Sequence, residues 1–106
     1  MHKFSAAVFA LAISTATAHA ADSDAQCSTV KMADPGWSDI ASTNAVARLL
    51  LESLGYQVKI DSLAVPIIYG GLKDGRVDAF LGSWMPAHQG FHDKFIANGD
   101  VQQLSR

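Results

Sequence analysis

The sequence predicts an α/β fold, a parallel sheet with helices on its faces. Two observations carry this. Short stretches rich in Val, Ile and Met alternate with longer segments of helical spacing. The breaks between them are clusters of Asp, Pro, Gly and Asn, the residues that stop strands and helices. Crossovers in such a sheet are expected to be right-handed. No internal repeat or low-complexity tract is visible.

The first element is a targeting segment. Met1, His2 and Lys3 form a basic start, residues 4–13 are apolar and uncharged, and Ala18-His19-Ala20 ends a small, weakly polar stretch. That order reads as a secretory signal peptide over 1–20, cleaved after Ala20. The apolar run is shorter than the roughly 20 residues a membrane-spanning helix needs. Residues 21–28 are small and polar, a flexible leader.

Residues 29–33 carry Val30 and Met32 in alternation and predict a first strand, ended by Asp34-Pro35-Gly36. Trp37, Ser38 and Asp39 follow on a loop, with Ser38 or Asp39 able to cap the next helix. Residues 40–54 predict that helix. Val46, Leu49, Leu50 and Leu54 fall at helical spacing as a stripe expected to be buried, and Gly55 is placed to stop it in a left-handed turn. Residues 56–63 predict a second strand with Val58 and Ile60 on one face. Pro66 can open a second helix that carries Ile67, Ile68 and Leu72, is weakened by Gly70 and Gly71, and ends near Gly75. Residues 77–81 predict a third strand, 82–86 a loop, and 87–97 a third helix.

Ligands of open α/β sheets bind beyond the carboxyl ends of the strands. Trp37 and Asp39 follow the first strand and Trp84 follows the third, so all three belong on that edge. A quaternary ammonium has no N–H to donate, so hydrogen bonds cannot recognise its charged end. Aromatic faces can, at about 0.5–2 kcal/mol per ring. Asp39 would complement the charge or accept a hydrogen bond from a ligand hydroxyl. The same two tryptophans could equally be core packing.

Other chemistries find less support. The chain has 8 Lys and Arg against 10 Asp and Glu. Lys3 leaves with the signal, so the mature balance is 7 against 10, a formal −3, with no basic stripe for nucleic acid. His88 and His92 are four apart on the third predicted helix, but zinc needs three or four ligands and no H-E-x-x-H occurs, so solvated surface histidines are the plainer reading. Ser38 has no credible His partner and lies in no G-x-S-x-G elbow, and no phosphate-binding glycine loop occurs. An enzyme is not expected, nor a metal or other cofactor. Cys27 is the single cysteine. It is either a small residue near a polar terminus or half of a disulfide whose partner is absent from the chain.

The stretch VKMADPGWSDIASTN from Val30, and Leu63 to Phe95 with its core GGLKDGRVDAFLGSWMPAHQGFHDKF, resemble the choline-binding proteins of ABC importers, within the glycine betaine/choline substrate-binding family. The resemblance covers residues 27–106, and its paired motifs, G-x-V-D-A-F and W-M-P, are more specific together than either alone. It implies a two-lobed periplasmic binding fold, of which 29–106 would be part of the N-terminal lobe. It implies that Trp37 and Trp84 are two walls of an aromatic cage, that Asp39 is the acidic residue beside the cation, and that Cys27 is the cysteine bonded to one far down the chain. The implied function is capture of choline in the periplasm and delivery to a membrane permease, by a monomer without cofactor. The remaining cage aromatics and the second lobe lie outside these residues, so the chain reads as truncated and is not expected to bind tightly alone. Glycine betaine is the alternative ligand. An anionic Asp39 favours the hydroxyl of choline over the carboxylate of betaine. A small exported interaction protein or non-functional remnant is the alternative of another class.

Overall fold

A computed structural model describes residues 27–105. The expected signal peptide, its cleavage after Ala20, and residues 21–26 of the expected leader lie outside the described residues.

Among the described residues, two strands and three helices succeed one another: β1 (Thr29–Asp34), α1 (Ser38–Ser53), β2 (Gln57–Ser62), α2 (Val65–Lys73) and the short α3 (Gln89–Phe91), which runs on as a π-helical turn, His92–Ile96. β1 and β2 are parallel, in register from Thr29 opposite Gln57 to Asp34 opposite Ser62. Met32 pairs with Ile60 and also forms a parallel bridge to Ala79. β1 is therefore central, with β2 on one side and the segment around Ala79 on the other.

Side chains alternate across a strand. Met32 and Ala33 are consecutive and both buried, so both faces of β1 are covered. Ala33 packs with Ile68 of α2 and with Val77, flanked by Leu63, Leu72 and Phe80. Ile60 shares the face of Met32 and lies across from Ala41, Ala45 and Leu49 of α1. The two long helices thus occupy opposite faces, and the α/β layering expected from the alternation is present.

The expected third strand, 77–81, is reduced to the single bridge at Ala79. The Asp78 carboxylate explains this. Its Oδ2 accepts the backbone N–H of Lys31 at 2.8 Å, the donor that an extended ladder would give to a backbone carbonyl. The N–H groups of Asp78 and Ala79 both converge on the Lys31 carbonyl, at 2.7 and 3.3 Å.

The stripe expected to be buried on α1 is exposed. Val46, Leu49, Leu50 and Leu54 are 60–73% accessible, and α1 instead buries Ile40 and Asn44. Asn44 Nδ2 donates to the Ala33 carbonyl at 3.1 Å, and the Arg48 guanidinium donates to the Val58 carbonyl at 2.9 Å, so polar side chains anchor the inner face. Capping also differs. Trp37, extended at φ −100° and ψ 135°, holds the N-cap position without a side-chain bond, and Ser38 is already helical. The C-terminal end is as expected. Gly55 has φ +95°, its N–H reaches the Glu52 carbonyl, and the Tyr56 N–H reaches that of Leu51, a Schellman closure. α2 runs through Gly70 and Gly71, held by buried Ile68 and Tyr69, while Ile67 faces out. The expected third helix starts at Gln89 rather than 87, because the backbone N–H of His88 first closes a turn on the Trp84 carbonyl. The Met85–Pro86 bond within that turn is cis.

Candidate functional site: a tryptophan pair at the strand ends

β1 ends in a tight turn. Asp34 Oδ1 accepts the Gly36 N–H at 2.7 Å, which swings the chain into α1 and leaves Trp37 at its entrance. The Trp37 carbonyl takes the first helical bond, from the Ala41 N–H at 2.9 Å. Trp84 arrives from the other side of β1, on the loop that follows the Ala79 bridge and passes through Gly82. Gly82 is buried against the start of α1. A Cβ there would lie 2.8 Å from Ile40 Cδ1 and Cγ1 and 2.9 Å from Phe80 Cε2, so only glycine lets the loop approach this closely.

The approach brings the two indoles together. Their centroids are 5.0 Å apart and the planes are inclined at 40°. Trp37 is half-buried and Trp84 is 51% exposed. Asp39 is exposed in the first turn of α1, two residues beyond Trp37, and its carbonyl accepts the Thr43 hydroxyl at 2.9 Å. A carboxylate there complements the partial positive charge of a helix N-terminus. Strand direction alone places Trp37, Asp39 and Trp84 on one edge. The structure puts the two rings in contact and Asp39 on the same helix end as Trp37. Cys27 is a free, exposed thiol just before β1.

Residues that the sequence does not assign to this site support the pair. His88 is buried rather than solvated, at 6% exposure. Its Nδ1 accepts the Trp84 backbone N–H at 3.1 Å, and its ring lies 5.7 Å from Trp37, tilted by 30°. Its backbone N–H donates to the Trp84 carbonyl at 2.7 Å, closing the turn. Burial, and secondly the neighbouring His92, hold the His88 pKa below its ordinary 6.5. Tyr69 of α2 is buried, stacked on Phe91 at 4.9 Å and on Phe95 at 5.9 Å, and edge-on to Phe80. Its hydroxyl lies 2.8 Å from Ser83 Oγ, which lies 2.8 Å from His92 Nε2. This chain of hydrogen bonds ties the loop before Trp84 to α2 and to the π-helical turn. The signal that could have found it is Tyr69 itself, since a tyrosine in a buried helix requires a partner for its hydroxyl.

The arrangement offers ring faces and a carboxylate, and among the described residues no group of three or more His, Cys, Asp or Glu could hold a metal ion. A separate depression of about 390 Å³ lies between α1 and β2, lined by Asn44, Arg48, Leu49 and Ile60 among others. Neither tryptophan lines it, and the ring chemistry lies elsewhere.

Comparison with known proteins identifies the family. Residues 28–105 match the family model described as the substrate binding domain of ABC-type glycine betaine transport systems. A protein of Chromohalobacter salexigens called uncharacterized protein ORF1 is 41% identical over 98 residues, which are 92% of this chain and 61% of that protein. Two solved structures are similar. An ABC-transporter choline binding protein in complex with choline shares 39% identity at a TM-score of 0.67, over 70% of this chain and 26% of that one. An ABC-transporter choline binding protein in an unliganded semi-closed conformation shares 40% identity at 0.63, over 69% and 25%. The chain thus spans about 61% of the curated relative and about a quarter of the solved ones. It belongs to the family of substrate-binding domains of ABC-type glycine betaine transport systems, whose members bind a solute for transport rather than transform it.

Proposed function

We propose that the chain contributes one lobe's share of a choline site, with Trp37 and Trp84 as ring walls and Asp39 as the charge beside the cation. The observation that supports this most is the indole pair, 5.0 Å apart with Trp84 half open to solvent, at the carboxyl end of β1. At that spacing the rings touch, so the ammonium would rest on the solvent side of the pair rather than between the rings. The entrance of α1 alone would repel a cation through its dipole. Asp39 offsets that and gives the site its preference for a hydroxyl over a carboxylate. The likeness to a structure in complex with choline supports the choice of choline over glycine betaine. The protein would be exported after cleavage at Ala20, act in the periplasm and deliver its ligand to the membrane permease of an importer.

The test is titration with choline, glycine betaine and 3,3-dimethylbutanol, the uncharged isostere of choline, followed through the two indole N–H resonances. Choline should move both resonances at millimolar concentration, and the isostere should move them less because it lacks the charge. Two indole signals indifferent to choline at every concentration would reject the cage.

A further inference from the structure

We propose that His88 is the positioning residue of the tryptophan pair: in its neutral form it holds Trp84 by the backbone and Trp37 by the ring, and its protonation releases them. This rests on the cage reading for its consequence on ligand, but not for the conformational step. The geometry assigns the tautomer. The Trp84 N–H is a donor and lies 3.1 Å from His88 Nδ1, so Nδ1 carries a lone pair and the ring proton is on Nε2. The same ring lies against Trp37 at 5.7 Å and has Tyr69, Phe80 and Phe91 around it, at 6.0–6.4 Å. One imidazole therefore touches both halves of the pair, one half through a hydrogen bond and the other through its face.

Protonation converts Nδ1 into a donor facing a donor. The Trp84 N–H, on a half-exposed residue, then loses its acceptor on the buried His88 ring. The titratable groups facing His88 are Tyr69, from α2, and His92, from the π-helical turn. Neither is a carboxylate that would welcome the new charge. The sign follows from the direction of the shift. Burial depresses the folded-state value below 6.5, so the native chain binds fewer protons than the unfolded chain in the interval beneath 6.5. The contribution of neutral His88 is complete above 6.5 and is lost as pH falls through that interval. A ligand that needs the paired indoles loses apparent affinity in proportion to the fraction of neutral His88, approaching roughly tenfold per pH unit below the midpoint.

The chain has two tryptophans, so indole near-ultraviolet circular dichroism reports this pair alone. In the wild type the indole signal should fall with one midpoint below 6.5 while the far-ultraviolet signal persists. His92→Gln removes the neighbouring imidazole and should keep a single midpoint. His88→Asn places an amide oxygen near the Nδ1 position, accepts at every pH, and should keep the signal with the midpoint gone. His88→Phe keeps a ring without an acceptor and should show the weakened signal at all pH values. A wild-type indole signal that is flat across the His88 titration seen by imidazole NMR, or a midpoint that survives in His88→Asn, overturns the proposal. Choline titrations above and below the midpoint separate the two readings. If the pair titrates with His88 but never responds to choline, the positioning role stands and the cage fails. If choline binds equally well to both forms of His88, the cage stands and the positioning role fails.

Discussion

In the proposed site Trp84 and Asp39 would carry different parts of recognition, and substitutions separate them. Trp84 is 51% exposed, so in this chain its loss removes a ring face still in contact with water. Trp84→Ala should weaken choline by about 0.5–1 kcal/mol, roughly two- to fivefold, in the isolated chain. In a family-length protein that closes over the ligand and excludes water, the same change should cost about 2 kcal/mol or more, roughly thirtyfold. Trp84→Phe keeps a π face and should lose less in both. Asp39→Asn keeps shape and removes charge. It should weaken choline and narrow the gap to betaine, because the betaine carboxylate no longer meets a like charge. Calorimetry on the family-length protein measures both ratios. An unchanged choline-to-betaine ratio would reduce Asp39 to a favourable charge at the helix end.

At the scale of elements, the contact between the loop after Ala79 and the entrance of α1 is what makes two distant tryptophans neighbours. Gly82 is the point of contact. Gly82→Ala should destabilise the chain by about 1–3 kcal/mol, as overpacking does, and should weaken the indole circular dichroism as the loop is pushed off Ile40. Urea unfolding measures the first and near-ultraviolet spectra the second. α1 gives a second contrast. Ile40 is 4% exposed and Leu50 is 62% exposed on the same helix. Ile40→Ala should cost about 2 kcal/mol or more, whereas Leu50→Gln should change stability by no more than about 0.5 kcal/mol. Equal losses at both positions would mean that the apolar face is covered in solution.

For the molecule as a whole, the two proposed ring contacts set the affinity to expect. Micromolar binding requires roughly 8 kcal/mol. Two exposed ring contacts at about 0.5–1 kcal/mol each fall far short of that. The chain, which spans about a quarter of the solved choline-binding relatives, should therefore bind choline no more tightly than millimolar. A micromolar isotherm for the isolated chain would show that one lobe suffices. Cys27 bears on the same question. It is exposed and free, so under oxidising conditions the chain should form disulfide-linked dimers on a non-reducing gel, abolished by Cys27→Ser.

The alternation of segments and the stop residues Asp34-Pro35-Gly36 and Gly55 are enough to predict the α/β order, the two paired strands and both long helices, because these depend on local spacing and backbone preference. They also put Trp37 and Trp84 on one edge, since that follows from strand direction alone. Other features depend on partners far apart in sequence. The apolar stripe on α1 has helical spacing, but spacing marks a face without saying what covers it, and among the described residues α1 meets the sheet with Ile40 and Asn44 instead. The third strand fails because the Asp78 side chain takes a backbone donor 47 residues away. Nothing local distinguishes His88 from a surface residue. Its burial comes from Tyr69, Phe80 and Phe91 closing around it, and its bond to Trp84 exists only once the turn before α3 has formed. Local physics thus determined which elements form and in what order, while tertiary packing decided which faces are buried and which imidazole touches the tryptophans.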